Sequence, residues 1–416
     1  MLAATPLPRL VDDRETLLCS VALALHVAGA PAHRLEDTVN ALARRVGIEA
    51  RLTSAPTSLM LSLGPVEQGR TSLIRVEPGG LDLGRMATVD HICTRLLSGD
   101  LSPDDALAAL RAADSAPPRF SAPWLVPGFM LTGMAATAIM GGATADVIAA
   151  AVLGAIMSLF LGLTRRGSRL DYLQDLLAGC LGATTAGLWS WLVWPIDTSL
   201  VTIATLIVLV PGLTLTTAIT ELATRHLVSG TARLSAAGVT FASLGLGAVA
   251  GSTFTAALSR LGLGPALPWV SAWGTELPMW LDWLFIGLAA VSFTLLMQAR
   301  WRNLPEIALT CAVGFGALQL CQGWVAPPMD AAIGGLAVAM TSNAIARLFN
   351  RPAAVSLVPG LFMLVPGSMG FKSLIQVLDA QVAIGVDELL QAPITAVALA
   401  AGVLMAQVLV PPRRTL

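Results

Sequence analysis

Charged residues are scarce in this chain, and lysine is nearly absent from it. Only 12% of its 416 residues are Asp, Glu, Lys or Arg, Lys372 is the single lysine, and the net charge is −1. Without an excess of positive charge, nothing in the composition indicates a nucleic-acid partner. The five cysteines form no Cys-x-x-Cys pair and show no zinc-type spacing, so we expect reduced, packed thiols and no metal site.

The chain also lacks the short motifs of several enzyme classes. It contains no Gly-rich phosphate loop, no Gly-x-Ser-x-Gly and no His-Glu-x-x-His. Transport driven by ATP through this chain alone is therefore not expected, and neither are catalysis, a cofactor or a bound metal. The first 20 residues have no clean apolar core, which argues against a cleaved signal peptide, and they carry Arg9, Asp12, Asp13, Arg14 and Glu15.

What the chain does have is long apolar sequence. Hydrophobic residues make up 55% of it and its mean hydropathy is +0.74, values typical of a membrane protein. Charge divides it in two, because residues 1–120 hold 12 Arg and 14 acidic residues, whereas the rest holds 13 basic and 12 acidic residues. We therefore predict a cytoplasmic N-terminal domain over 1–120 followed by a helical membrane region.

The N-terminal domain has the patterning of a small α/β or α+β fold. Helical periodicity predicts helices at 13–28, 33–46, 82–97 and 103–112, and alternating or β-rich segments predict strands at 48–53, 58–63 and 71–76. Ser102-Pro103-Asp104 is a typical helix start. A proline-rich linker at 115–123 then leads into the membrane region.

Ten apolar spans are predicted after the linker. Their approximate bounds are 124–143, 145–163, 171–193, 199–220, 233–257, 279–298, 305–322, 331–347, 353–374 and 392–410. Eleven of the 13 basic residues beyond residue 120 fall in one set of alternate loops, and only Arg260 and Lys372 fall in the other. The positive-inside rule then predicts a multi-pass protein in contact with membrane lipid and with both termini in the cytoplasm.

The tetrapeptide Leu-Val-Pro-Gly occurs four times, at 125–128, 209–212, 357–360 and 364–367. Pro-Gly interrupts a helix, and such an interruption inside a bilayer survives only against protein or a water-filled cavity. The copies at 209–212 and 364–367 fall in the fourth span of each five-span half, past the middle of the span. An odd number of spans inverts the second half, so we predict inverted repeats over 121–258 and 279–416, with the two interruptions facing each other. The copy at 125–128 is expected to form only a bend at the start of the first span.

Several segments resemble the bacterial threonine/serine exporter family in its single-chain form. They are residues 28–36 and 55–58 in the N-terminal domain, 209–219 and 228–234 in the first half, and 364–367 with 371–374 in the second half. The family tends to have Asp where this chain has Glu221 and often has Arg where it has Lys372. The resemblance implies a protein of the bacterial inner membrane that exports threonine and serine by proton antiport.

The residues around the two interruptions are the predicted substrate site. The half-helix after Pro211 and Gly212 would offer free N–H groups and the positive end of its dipole to a carboxylate, with Thr214 as its cap. The hydroxyl groups of Thr214, Thr216, Thr217 and Thr220 would meet the amino or hydroxyl group of the substrate. The partner interruption would complete the site with Pro366, Gly367, Ser368 and Lys372. The competing explanation is a kinked helix whose threonines bond to their own backbone.

Two carboxylates, Glu221 and Asp175, are the predicted proton carriers, because acidic residues inside spans mark proton pathways. Each also has a purely structural explanation as a charge at a helix end. In the N-terminal domain, His33 and Glu36 have a spacing that suits metal binding or hydrolysis, but a solvated helix face explains the pair better.

Rival functions remain open at this point. The first is a dicarboxylate exporter on the same scaffold, since related two-chain members of the family are associated with dicarboxylate export. The others are a membrane-anchored hydrolase with residues 1–120 as the enzyme, and a passive channel. The sequence also leaves open a homo-oligomer.

Overall fold

The computed structural model describes residues 13–411 apart from 66, 68, 78, 165–169, 261–276, 322, 365–366, 368–369 and 374–381. For residues 382–389 it describes the backbone alone. Two parts follow one another along the chain: a domain of mixed helices and strands, and a region of apolar helices.

The N-terminal domain combines four helices with one antiparallel sheet, so it has the α+β form of the predicted fold. The sheet has the order β1-β2-β3, and β1 turns directly into β2 with Ala55 paired to Ser58. All predicted helices and strands of this domain are present, with bounds that differ by a few residues. They are α1 (Asp13–Val27), α2 (Ala32–Val46), β1 (Ala50–Ala55), β2 (Ser58–Leu63), β3 (Arg70–Arg75), α3 (Leu83–Ser98) and α4 (Pro103–Ser115).

One hydrophobic core holds this domain together. Helix α2 buries Leu35, Val39, Leu42 and Val46, which recur at the spacing of one helix face. This face packs with apolar residues of α1, the sheet, α3 and α4 in one cluster. Helix α4 begins as predicted, because the Ser102 hydroxyl accepts a hydrogen bond from the N–H of Asp105.

The regular elements of the membrane region are all helices in its described part. Six stretches there are long and apolar enough to cross a membrane: Ala122–Ile139, Thr144–Leu163, Leu227–Arg260, Trp301–Cys321, Met329–Phe349 and Leu390–Leu409. This makes the chain a polytopic helical membrane protein. The helices are α5 (Ala122–Ile139), α6 (Thr144–Leu163), α7 (Gln174–Leu192), α8 (Thr198–Leu206), α9 (Gly212–Ala223), α10 (Leu227–Arg260), α11 (Leu281–Leu296), α12 (Leu304–Cys321), α13 (Met329–Phe349), α14 (Ala354–Leu364) and α15 (Val382–Leu409).

The Leu-Val-Pro-Gly copies behave differently from one another. Helix α5 runs through Pro127 and α14 runs through Pro359 without ending. The bend expected at the start of the first span is thus a continuous helix with Pro127 inside it. The copy at 209–212, by contrast, separates α8 from α9. Part of the copy at 364–367 lies outside the described residues.

Glycines allow several helix pairs of the membrane region to approach closely. A Cβ on Gly179 of α7 would lie 2.1 Å from the Leu244 carbonyl oxygen of α10. Likewise, a Cβ on Gly402 of α15 would lie 2.2 Å from the Ala332 carbonyl oxygen of α13. Small residues at such positions are the usual means of packing helices in a membrane.

Helices α5 and α11 are far apart in sequence but are joined by buried hydrogen bonds. The Ser292 hydroxyl of α11 donates a hydrogen bond of 2.7 Å to the Gly128 carbonyl of α5 and also hydrogen-bonds with the Thr132 hydroxyl. Both Thr132 and Ser292 are buried. These bonds satisfy buried polar groups where water is excluded, so they fix the two helices against each other.

The N-terminal domain rests on the turn between α11 and α12. The N–H of Leu83 donates to the Met297 carbonyl at 2.9 Å, and the Gln298 side chain bonds to both the N–H and the carbonyl of Phe120. A Cβ on Gly84 would lie 2.5 Å from the Gln298 carbonyl oxygen. A residue larger than glycine at position 84 would not allow the observed contact between the N-terminal domain and this turn.

We expect Gly84→Ala to destabilise this contact, because the added methyl group would have to displace the backbone at Gln298. Overpacking of this kind costs ~1–3 kcal/mol, so the midpoint of thermal unfolding in detergent should fall. Gly80→Ala is the matched control, since a Cβ there meets nothing within 4 Å. Equal midpoints for the two variants would contradict the proposed close contact.

Candidate functional site

The interruption between α8 and α9 exposes backbone donors in the interior of the membrane region. Residues 207–211 are not helical, and α9 begins at Gly212 with Pro211 as its cap residue. The N–H of Gly212 donates to the Val210 carbonyl at 2.8 Å, and the N–H of Leu215 donates to the Pro211 carbonyl at 2.9 Å. Between them, the N–H groups of Leu213 and Thr214 have no backbone acceptor in the described part of the chain. Two donors thus remain at the positive end of α9.

Gly367, in the last Leu-Val-Pro-Gly copy, lies directly against this interruption. A Cβ on Gly367 would be 3.3 Å from the Cα of Gly212 and 2.9 Å from the Cγ1 of Val210. Phe371, just beyond it, is fully buried in a cluster with Val210 and Leu206. The structure therefore brings Gly212 and Gly367 together, although the two residues are far apart in sequence. Pro366 and Ser368 lie outside the described residues.

The four threonines of α9 divide into two pairs. The Thr216 hydroxyl donates to the Gly212 carbonyl at 3.2 Å, and the Thr220 hydroxyl donates to the Thr216 carbonyl at 2.9 Å. These two hydroxyls bond to their own helix, as the kinked-helix explanation expects. Thr214 and Thr217 are half-buried, and neither side chain makes a hydrogen bond among the described residues. Lys372 is exposed.

Asp175 lies in the first turn of α7 and faces α10. One of its carboxylate oxygens accepts a hydrogen bond of 3.1 Å from the Thr240 hydroxyl. The next residue of α10, Phe241, lies 3.6 Å from a Cβ built on Gly370, three residues after Gly367. This part of α10 therefore connects Asp175 with the region where Gly367 meets Gly212.

Glu221 lies at the other end of α9, in a polar cluster that joins the two parts of the chain. We call it the domain-junction cluster, and its members are Ala32 and Glu36 of α2 with Glu221, His226, Ser229 and Arg233 of the membrane region. Glu221 is fully buried, and its carboxylate accepts hydrogen bonds from the Ala32 N–H at 2.9 Å and the Ser229 hydroxyl at 2.7 Å. Arg233 Nε donates to both of its oxygens, at 3.2 and 3.1 Å.

A second ion pair in the cluster lies beside this carboxylate. His226 Nε2 is 3.2 Å from the Glu36 carboxylate, whose other oxygen accepts the Ser54 N–H at 2.9 Å. The rings of His33 and His226 are 6.1 Å apart. The explanation of His33 and Glu36 as a solvated helix face is therefore wrong, because this face of α2 packs against the turn between α9 and α10.

Burial changes the acid–base behaviour of this surface of α2. It lowers the pKa of His33 to about 3, with further contributions from the charges of Arg34 and His226, so the ring is neutral at physiological pH. Burial also raises the pKa of the Glu36 carboxyl above its usual range, although the Ser54 N–H and His226 act in the opposite direction. In the part of the chain that the structure describes, no group of His, Cys, Asp and Glu is arranged to hold a metal ion.

Sequence reasoning missed Ser229, His226 and Arg233 as functional candidates. Part of the signal was present, because segments 28–36 and 228–234 are among those that resemble the exporter family. In the structure these two segments meet in this cluster. His26 Nε2 hydrogen-bonds the Pro56 carbonyl at 3.0 Å and so connects the turn at 55–58 with α1.

Two family profiles and several known proteins match this chain in sequence. A family profile described as a putative threonine/serine exporter matches residues 16–255, and a second one, described as a threonine/serine exporter, matches residues 282–409. The probable threonine/serine exporter of Mycobacterium tuberculosis is 26% identical over 374 residues, covering 86% of this chain and 68% of the relative. The threonine/serine exporter of Corynebacterium glutamicum is 24% identical over 340 residues, covering 79% and 68%.

Fungal relatives are similar at the same level. The pheromone-regulated membrane protein 10 of Debaryomyces hansenii is 25% identical over 380 residues, covering 86% of this chain and 36% of the relative. The chain spans 30% to 49% of the length of this protein and its counterparts in Yarrowia lipolytica and Eremothecium gossypii. No solved structure matches the chain. Because the two family profiles together cover most of its length, the chain belongs to the threonine/serine exporter family.

Proposed function

We propose that the protein is a secondary transporter that exports threonine or serine from the cytoplasm in exchange for protons. The observation that carries this proposal is the contact of Gly367 with Gly212, which brings together the Leu-Val-Pro-Gly copies that begin at residues 209 and 364. Paired interruptions form the substrate sites of inverted-repeat transporters. Family membership supports an export role and a small amino acid as the substrate.

Corresponding contacts in the two halves support an inverted repeat over residues 121–258 and 279–416. Asp146, in the first turn of α6, accepts the N–H of Asp197 just before α8 at 2.9 Å. Glu306, at the same place in α12, pairs with Arg351 just before α14. The close pair α7–α10 has its counterpart in α13–α15, and α5 meets α11 between the halves. We infer ten spans, with each half built of five.

In this proposal the substrate lies at the meeting point of the interruptions. The free N–H groups of Leu213 and Thr214 bind its carboxylate. The hydroxyls of Thr214 and Thr217 bind its amino or hydroxyl group, because those of Thr216 and Thr220 are engaged within α9. Pro211 and Gly212 shape one wall, and Pro366, Gly367 and Ser368 shape the other. Lys372 is exposed, and in this proposal it lies at the approach to the site.

Of the two proposed proton carriers, Asp175 suits the task better than Glu221. Asp175 is half-buried and accepts one hydrogen bond from a neutral hydroxyl. Glu221 is fully buried and its oxygens are occupied by Ala32, Ser229 and Arg233. A carrier must gain and lose a proton during transport, and Asp175 has one hydrogen bond to give up, whereas Glu221 is bonded to three groups.

The orientation follows from the surface on which the N-terminal domain rests. The domain contacts the turn between α9 and α10 and the turn between α11 and α12, so both turns lie on one side of the membrane region. These turns carry Arg225, Arg300 and Arg302, and Arg233 follows near the start of α10. By the positive-inside rule we infer that this is the cytoplasmic side of the inner membrane and that the domain and both termini lie on it.

Adding a side chain at Gly367 should impair export. In vesicles preloaded with labelled threonine, we expect Gly367→Val to force the interruptions apart at a cost of ~1–3 kcal/mol, or roughly a five- to hundredfold loss of efflux rate. Gly287→Val on α11 is the control, because a Cβ there meets nothing within 4 Å. Efflux by Gly367→Val at the control rate would place the substrate elsewhere.

Removing the charge of Asp175 should separate transport from its driving force. We expect Asp175→Asn to abolish uphill threonine efflux driven by a pH gradient while leaving the exchange of labelled for unlabelled threonine. Succinate should not compete with labelled threonine in that exchange, and competition would instead identify a dicarboxylate exporter. Uphill efflux that persists in Asp175→Asn would remove this residue from the coupling mechanism.

A further inference from the structure

Helix α2 of the N-terminal domain lacks a cap of its own. Its cap residue is Pro31, whose side chain makes no capping hydrogen bond. The first N–H groups of a helix need an acceptor, and Asp, Asn, Ser or Thr at the cap position normally supplies one. Here the acceptor is Glu221, 189 residues further along the chain, which takes the Ala32 N–H at 2.9 Å. A residue of the membrane region therefore caps helix α2 of the N-terminal domain.

The same carboxylate belongs to the half-helix that begins at the proposed substrate site. Glu221 lies eight residues after Leu213, which is ~12 Å along α9 at the helical rise. Helix α9 is also held to the next helix, because a Cβ on Gly230 of α10 would lie 2.7 Å from the Leu222 side chain and 3.0 Å from the Ala218 carbonyl oxygen. A shift of the domain at Glu221 is thus transmitted along a rigid element to the donors at the other end of α9.

The hydrogen bonds at Glu221 are strong enough to fix the position of the N-terminal domain relative to α9. The carboxylate is fully buried, so each donor that it loses leaves it with one hydrogen bond fewer in a site from which water is excluded. It also faces the positive dipole end of α2, which favours a carboxylate there. His226 and Glu36 extend the contact on the neighbouring surface of α2.

We propose that Glu221 is a positioning residue: its capping of α2 fastens the N-terminal domain to α9 and thereby sets the position of the substrate-binding end of that half-helix. This inference rests on the proposed function for its effect on the substrate. The attachment of the domain to α9 stands on the geometry alone. The domain then acts as part of the transport machinery, because α9 moves only with the domain or after the cap is broken.

Ala32→Pro removes the critical donor, at a buried position where the surroundings must also accommodate the proline ring. Ala32 is the first residue of α2, a position where proline is well tolerated, and Pro31 has φ −63° and ψ 150°, a conformation compatible with a following proline. Ala122→Pro is the matched control, since Ala122 is the exposed first residue of α5 and follows Ser121 at φ −69° and ψ 166°. Glu221→Gln removes the charge from the other partner.

The experiment uses full-length protein with spin labels at the exposed residues Glu49 and Thr231, and measures both the distance between the labels and the affinity for threonine. We expect a narrow distance distribution in the parent and in Ala122→Pro. It should broaden in Ala32→Pro and Glu221→Gln, together with an increase of about tenfold in the threonine Kd. The double variant should be no worse than Glu221→Gln alone, because Glu221→Gln weakens the cap of α2 together with the bonds to Ser229 and Arg233.

Three outcomes would overturn the proposal. Unchanged distances in both single variants would show that the cap does not hold the domain, and broadened distances with an unchanged Kd would show that it does not position α9. Additive effects of the two variants would show that they break different contacts. If the parent itself neither binds nor exports threonine, the proposed function fails, while the distance measurement still decides whether Glu221 fastens the domain. Glu221→Gln keeps the test decisive if Ala32→Pro fails to fold.

Discussion

The close contact between Gly212 and Gly367 is the constraint on which the centre of the membrane region depends. With any larger residue at position 367, Val210 and the backbone at Gly212 would have to move. The contact also resolves a difficulty of interrupted helices, because polar backbone at an interruption needs a surrounding of protein or water rather than lipid. Gly367 and Val210, packed around Gly212, provide that surrounding, and the donors of Leu213 and Thr214 remain for a ligand.

The second organising interaction is the carboxylate of Glu221 at the start of α2. A carboxylate with no solvent exposure is stable only when its oxygens are fully bonded, and here the backbone of one domain and the side chains of Ser229 and Arg233 share that task. Because α9 joins this carboxylate to the interruption at Gly212, the two organising contacts lie on one helix. The N-terminal domain and the proposed substrate site are therefore parts of one mechanical unit.

Individual elements show how far the sequence alone predicts the fold. The helices and strands of the N-terminal domain follow from local periodicity, and the start of α4 follows from Ser102 and Pro103. Pro127 and Pro359 show the limit of that reasoning, since both lie inside continuous helices although they occur in the same tetrapeptide as Pro211. The tetrapeptide is identical in all these places, so tertiary packing decides whether proline interrupts the helix.

The sequence by itself determined that the chain has a charged domain followed by apolar helices, and it identified the Pro-Gly pairs around which the substrate site is proposed. These features depend on composition and short-range spacing, which the chain carries in every conformation. Only the tertiary structure decided that Glu221 caps α2, that His33 faces His226, and that Thr216 and Thr220 bond within α9 while Thr214 and Thr217 do not. Hydrogen bonds between residues as distant as Ala32 and Glu221 leave no periodic signal in sequence, because they depend on how two separately folded parts meet.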